Sequence, residues 1–124
     1  MKTEKLVKAI VHTGNKHIGD NISIAATFFT RLVGLMGRPS LSEGEGLLLK
    51  KVSSFGGLCS VHMLFMKFAI DVIFLNEQNK IVHIAHRVRP WTGTAMAKAQ
   101  DALELPAGTA QRLELSEGDV IDFS

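Results

Sequence analysis

The residues whose types and spacing could do chemistry lie mostly in one stretch, 59–75, which carries a thiol, a histidine and a carboxylate. The carboxylate is Asp71, which interrupts a nearly unbroken apolar run at 68–75. A run of this kind is typical of a strand covered on both faces. A carboxylate there must find hydrogen-bond donors or a cation, because burying an unpaired charge is very costly.

Two interpretations of Asp71 follow. In the structural one, it accepts backbone N–H bonds or pairs with Arg31 or Arg38, and such a buried pair is weak support for stability or function. In the functional one, it contacts a ligand or acts as a general base in a pocket, where perturbed carboxylates also occur. The sequence alone leaves both open.

Cys59 and His62 are neighbours in sequence, yet they form a poor catalytic pair. Side chains alternate along a strand, so a strand over 59–65 places these two on opposite faces. A cysteine nucleophile needs its histidine within hydrogen-bond reach. The sequence therefore favours a buried, unreactive thiol.

His83 and His86 also alternate faces, and each is most simply a half-exposed strand residue. Together with His62 and Asp71 from neighbouring strands, one of them could complete an acid–base or metal-binding set. The chain has no C-x-x-C pair and no glycine-rich nucleotide-binding motif. We therefore predict no cofactor and no metal.

Trp91 follows Arg89 and Pro90 in a predicted loop. It is either a stacking or cation–π platform, or a plug that seals one end of the fold. Met66 belongs to a soft apolar group with Met63, Phe65 and Phe68, which favours core packing over a tolerant binding surface.

Composition indicates one ordinary globular domain over residues 1–124. The chain is 46% hydrophobic and 21% charged, with a net charge of +2 spread over scattered Lys and Arg, which argues against nucleic-acid binding. A single cysteine excludes an internal disulfide. No stretch is apolar enough for a membrane span or a signal peptide, so we expect a cytoplasmic protein.

The patterning predicts a mainly β fold: a small β-barrel or sandwich of seven or eight short strands with two short helices. The helices are expected at 27–36 and near 109–115, and a turn at 19–21. Residues 95–100 fit no single element. Glu104 alternates with Leu103 and Leu105, so we expect it to face solvent.

Several motifs occur in a fixed order, and as a set they are specific. They are 30–38 (TRLVGLMGR), 46–49 (GLLL), 62–75, 89–91 (RPW), 103–108 (LELPAG) and 118–120 (GDV). Over about 22–123 the chain resembles the "uncharacterised ACR" family of small bacterial and archaeal domains, domain-of-unknown-function family 192. The resemblance implies a small, largely β single domain with no agreed activity. Ala69 replaces a usual proline, and Phe65 replaces a frequent glycine or tryptophan.

The leading functional hypothesis is a small accessory domain that binds a small polar ligand or a peptide segment. Its expected site combines a carboxylate, a histidine and an aromatic loop, and is lined by Arg31, His62, Met66, Asp71 and Trp91. The alternative is a metal-assisted or acid–base hydrolase that uses Asp71 with His62 or His83. That alternative requires the side chains to converge in one cleft.

Overall fold

The computed structural model describes residues 6–13, 16–25, 35–50 and 55–124, and the structural statements below refer to these. The strands are β1 (Leu6–Val11), β2 (His17–Ala25), β3 (Glu45–Leu49), β4 (Leu58–His62), β5 (Ile70–Leu75), β6 (Ile81–Val88), β7 (Thr94–Lys98), β8 (Asp101–Pro106) and β9 (Ile121–Phe123). One short helix, α1 (Thr109–Arg112), and a 3-10 turn, Phe55–Gly57, complete the described elements. The mainly β prediction is confirmed, and the unassigned segment near 95–100 supplies an additional strand, β7.

Seven strands form one sheet in the order β6-β5-β8-β3-β2-β1-β9, and β4 and β7 form a separate antiparallel ribbon. Among the described strands of the sheet, only β2 and β3 pair in parallel. The two edges of the sheet approach each other at one end, where Lys80 and Val120 form an isolated bridge. Over the described residues no longer ladder joins these edges, so the sheet is not closed into the predicted barrel.

Apolar side chains cover both faces of the sheet, which explains the continuous apolar run of β5. One face carries the first core, to which Ile73 and Leu75 belong. The opposite face carries the second core, to which Val72 and Phe74 belong. Successive residues of β5 therefore enter different cores. The ribbon covers the second core through residues such as Cys59 and Val61.

Two local predictions are corrected or narrowed by the structure. The expected turn at 19–21 lies inside β2, where the β1–β2 register shifts between Ala9 opposite Gly19 and Val7 opposite Ile22. A bulge of this kind accommodates turn-forming residues without ending a strand.

The helix predicted near 109–115 is present but shorter, as α1. The helix predicted at 27–36 falls mostly on residues 26–34, outside the described residues.

The predicted orientation of Glu104 is wrong. Its strand, β8, lies between β3 and β5, and Glu104 stands opposite Leu47 and Val72. Both of these neighbours belong to the second core. Because the ribbon covers that face, Glu104 is only 5% exposed.

Candidate functional site

Asp71 is fully buried, and both of its carboxyl oxygens accept backbone hydrogen bonds. Oδ1 accepts the N–H of Arg87 at 2.9 Å, and Oδ2 accepts the N–H of Ala110 at 2.8 Å. Arg38 lies elsewhere, with its Nη2 3.5 Å from Oε1 of Glu45. Asp71 therefore joins an edge strand to the start of α1 through backbone groups.

The local structure explains why both donors are available to Asp71. Three residues of β5, Ile70 to Val72, face four residues of β6, Val88 to Ala85, and Arg87 in this bulge has φ of 50°. The N–H of Ala110 lies in the first helical turn, where no helical carbonyl can accept it. The N-cap residue of α1 is a glycine with no capping side chain. Asp71 thus accepts one hydrogen bond that a carbonyl of the neighbouring strand would otherwise accept. It also accepts one that a capping side chain of α1 would otherwise accept.

The segments that carry His62 and Trp91 are joined by backbone hydrogen bonds at one end of the ribbon. The N–H of Trp91 donates to the carbonyl of Met63 at 2.9 Å, and the N–H of Met63 donates to the carbonyl of Gly93 at 3.0 Å. A Cβ added to Gly93 would lie 2.4 Å from the carbonyl oxygen of Arg89, so this loop requires glycine there. His62 is exposed, and its Nδ1 accepts the N–H of Leu64 at 3.3 Å.

Phe65 and Trp91 form a paired aromatic surface beside this loop. Their ring centroids lie 5.4 Å apart with an interplanar angle of 67°, an edge-to-face arrangement. The two residues are 52% and 51% exposed, and Leu64 beside them is 48% exposed. We call these three residues the aromatic notch. Sequence analysis singled out Trp91 but not its partner ring.

The backbone of the notch is held in an unfavourable conformation. Phe65 has φ of 66° and Trp91 has φ of 67°. Such angles cost a non-glycine residue about 1 kcal/mol or more each and persist only where surrounding contacts impose them. The carbonyl of Phe65 accepts the N–H of Gly37 at 3.2 Å, which adds one such contact. The backbone that carries both rings is therefore constrained, while the rings remain open to solvent.

The remaining predicted site residues do not join this notch. Met66 is 4% exposed and belongs to the second core. Asp71 stands opposite Leu105 of the first core, on the sheet face away from the ribbon. Arg31 lies outside the described residues.

The hydrolase hypothesis needs Asp71 near His62 or His83, and the sheet separates them. His83 stands opposite Phe74, three residues along β5 from Asp71, so it lies on the other face. It stacks on the Phe74 ring at 5.9 Å and lies 3.9 Å from Glu117. His62 belongs to the ribbon, which also covers that other face. Within the described ranges, no group of three or more His, Cys, Asp or Glu is placed to hold a metal.

Sequence reasoning missed a second buried acidic region beneath the ribbon. Burial raises the pKa of Glu104 to about 7. Burial also raises the pKa of the Cys59 thiol to about 12, with further contributions from the charges of Asp101 and Glu104. The apolar sequence around Glu104 could have indicated its burial, because it resembles the apolar sequence around Asp71.

We expect the Cys59 thiol to be nearly inert in the folded protein. A pKa of about 12 instead of 9.0 reduces the thiolate fraction near neutral pH about a thousandfold, and the thiolate is the reactive form. Ellman's reagent should label it slowly in buffer and rapidly in concentrated guanidinium chloride. Fast labelling of the folded protein would contradict the buried placement of Cys59.

The fold and the site define a small, mainly β domain with a structural buried carboxylate and a constrained, exposed aromatic surface. The chain belongs to the family DUF192, Uncharacterized ACR, whose sequence model matches residues 9–123. The resemblance drawn from the ordered motifs is confirmed. Among the described residues, no helix is long and apolar enough to cross a membrane.

The UPF0127 relatives that this chain matches in sequence come from archaea. A UPF0127 protein of Thermococcus sibiricus is 35% identical over 103 residues, 82% of this chain and 65% of that protein. This chain therefore spans just under two thirds of that relative. A UPF0127 protein of Pyrococcus furiosus is 31% identical over 113 residues, 90% of this chain and 94% of that protein.

A solved structure has the same fold. The crystal structure of a protein of unknown function from Novosphingobium aromaticivorans matches with a TM-score of 0.81. It covers 96% of this chain and 84% of that chain at 22% identity. At this identity the similarity concerns the fold alone.

Proposed function

We propose that this protein is an accessory domain that binds a peptide segment, whose apolar side chain enters the aromatic notch. The observation that carries the proposal is the pair of half-exposed rings, Phe65 and Trp91, held edge to face on backbone with positive φ. Strained backbone of this kind clusters at ligand-binding and active sites. Folding alone gains little from two rings that stay half in water.

The distribution of exposed apolar residues supports the same surface. Six large hydrophobic residues are exposed in the described part of the chain, and five of them lie on the ribbon and its adjoining loops. The sixth, Leu6, lies on β1, across the sheet. A clustered apolar surface is typical of an interaction site, whereas scattered apolar residues need no explanation. Aromatic anchors also dominate the binding energy of many interfaces.

A peptide segment suits the notch better than the small polar ligand that the sequence also suggested. The notch consists of two rings and Leu64, and the polar residues nearest to it along the chain are Thr92, His62 and Lys67. Asp71, the group expected to bind a polar ligand, has both oxygens engaged by backbone N–H groups. We place this function in the cytoplasm, where a lone thiol such as Cys59 stays reduced.

Trp91 provides its own test, because the chain has one tryptophan and no tyrosine. Peptides selected from a random display library on the folded protein should shift Trp91 emission to shorter wavelength as the ring leaves water. Phe65→Gly should weaken the binding of those peptides about thirtyfold, the effect of losing about 2 kcal/mol at an interface anchor. Isothermal calorimetry would measure both affinities.

Phe65→Gly separates binding from folding, because glycine adopts positive φ without strain. We expect its unfolding free energy to stay within about 1 kcal/mol of wild type, since relief of strain offsets the lost ring contact. Leu6→Ala is the matched control, an equally exposed apolar residue on β1, across the sheet. Equal peptide affinity in wild type and Phe65→Gly would overturn the proposed function.

A further inference from the structure

We propose that the bound segment is acidic and that it lies along the outer face of the ribbon, from the aromatic notch towards Lys98. This inference rests on the proposed function and adds the chemistry and the path of the partner. Its support is the charge and the alternation of the residues that build the ribbon and its loops.

The two segments that form this surface contain no acidic residue. The chain has 12 Asp and Glu residues, yet none falls within 55–70 or 86–100. Outside β6, the same segments carry three exposed cationic residues: Lys67, Arg89 and Lys98. Among the described residues, Lys67, Arg89 and Lys98 take part in no ion pair. These charges remain available to an anionic partner.

The strand pairing places apolar and cationic side chains on one outer face. Met96 stands opposite Ser60, and Thr94 stands opposite His62. Residues directly opposite each other in an antiparallel pair share a face. All four are exposed, and Met96 is 56% exposed. Lys98 follows Met96 on the same face, because alternate strand residues point the same way.

This face continues directly into the aromatic notch. His62 ends β4, and the next residue, Met63, is hydrogen-bonded to both Trp91 and Gly93. Five residues of β7 span roughly 14 Å at about 3.4 Å per residue. An extended segment of about eight residues can therefore place one apolar side chain in the notch while its acidic side chains reach Arg89 and Lys98.

The composition of the face favours a peptide over an anionic membrane surface. His62 and Thr94 lie between the notch and Met96, and Ser60 lies level with Met96, where all three can hydrogen-bond to a peptide backbone. A membrane-binding surface instead presents a continuous apolar side to the lipid. The two rings also meet at 67°, so together they present an angled apolar surface that one side chain can contact.

Three synthetic peptides test the inference. Each has about eight residues with a central Leu, and the other positions alternate Ser with Glu, Gln or Lys. In low salt, Trp91 fluorescence should report at least about tenfold tighter binding of the Glu peptide than of the Gln peptide, because complementary charge favours association. The Lys peptide should bind most weakly. Near 1 M salt, where the screening length falls to about 3 Å, the difference should largely vanish.

Charge reversal locates the path of the segment. Lys98→Glu and Arg89→Glu should each weaken the Glu peptide about tenfold and leave the Gln peptide nearly unchanged. Lys8→Glu is the matched control, an exposed lysine on β1. If Arg89→Glu removed the preference for the Glu peptide over the Gln peptide and Lys98→Glu did not, the path along the ribbon would be overturned.

The remaining outcomes separate the two proposals. Equal affinity for the Glu and Gln peptides, both lost in Phe65→Gly, would overturn the acidic partner and leave the proposed function intact. Failure of all three peptides and of the display-selected peptides to alter Trp91 emission would overturn both proposals. Binding to phosphatidylserine vesicles but to no peptide would overturn both in favour of a membrane surface.

Discussion

Asp71→Asn is expected to lower the free energy of unfolding by about 2–4 kcal/mol, because an amide cannot accept both of the backbone hydrogen bonds that Asp71 now accepts. The part-buried N–H of Arg87 or the buried N–H of Ala110 would then face another donor. An unsatisfied buried donor costs about 1–3 kcal/mol. Urea denaturation followed by far-UV circular dichroism would measure the change as a lower midpoint with an unchanged slope.

Asp122→Asn is the matched control for Asp71→Asn. Asp122 lies on the exposed surface, with its Oδ2 2.7 Å from Nδ1 of His12. Exposed pairs of this kind contribute about 1 kcal/mol or less. A wild-type midpoint for Asp71→Asn would contradict the structural role and return Asp71 to the candidate binding residues.

Glu104→Gln is expected to make the protein more stable than wild type at about pH 8, by an amount that builds up as the pH rises from 4.5 to about 7. Burial raises the pKa of Glu104 from 4.5 to about 7. The folded state therefore holds this proton more tightly than the unfolded state does. Between these two pKa values the unfolded chain binds fewer protons, so stability falls as pH rises.

The size of this effect follows from the shift of the pKa, at about 1.4 kcal/mol per unit. The unfolding free energy of Glu104→Gln relative to wild type should increase by about 2–3 kcal/mol from about pH 4.5 to pH 8. Below the pKa of Glu104 in the unfolded state, Glu104 is protonated in both states. The advantage in stability of Glu104→Gln over wild type that comes from this ionisation therefore disappears there. Chemical denaturation across this pH range would measure it.

Glu117→Gln is the matched control, because Glu117 is exposed and belongs to another loop. Its stability profile should run parallel to that of wild type across the pH range. If Glu104→Gln also ran parallel to wild type, Glu104 would not titrate between these pH values, and its burial under the ribbon would be wrong.

Asp71 and Glu104 are both buried, yet the sequence led to opposite predictions of their burial. Asp71 interrupts an apolar run, so its burial was evident, whereas Glu104 alternates with leucines and indicated a solvent-facing position. Alternation distinguishes two faces of a strand but does not show whether the second face is covered. The ribbon covers the face of Glu104, and the pairing that builds the ribbon joins Leu58 to Lys98, 40 residues apart in the chain.

The donors to Asp71 were only partly predictable. Backbone N–H groups were one of the expected partners, and a short helix near 109–115 was expected as well. That this helix delivers the N–H of Ala110 to Asp71 depends on a contact between residues 39 positions apart. The backbone N–H of Arg87 is available as the second donor because β6 contains a bulge. The periodicity of a sequence does not reveal one extra residue in a strand.

The sequence by itself determined the family, the mainly β class, most strand positions and the burial of Asp71, because these depend on local patterns and ordered motifs. Only the tertiary structure decided which residues meet. It brought Phe65 next to Trp91 and buried Glu104. It also placed Asp71 on the opposite face of the sheet from His62 and His83. The physical reason is that strand order, register and coverage of a face arise from long-range backbone pairing, and neighbouring residues in the chain carry little information about it.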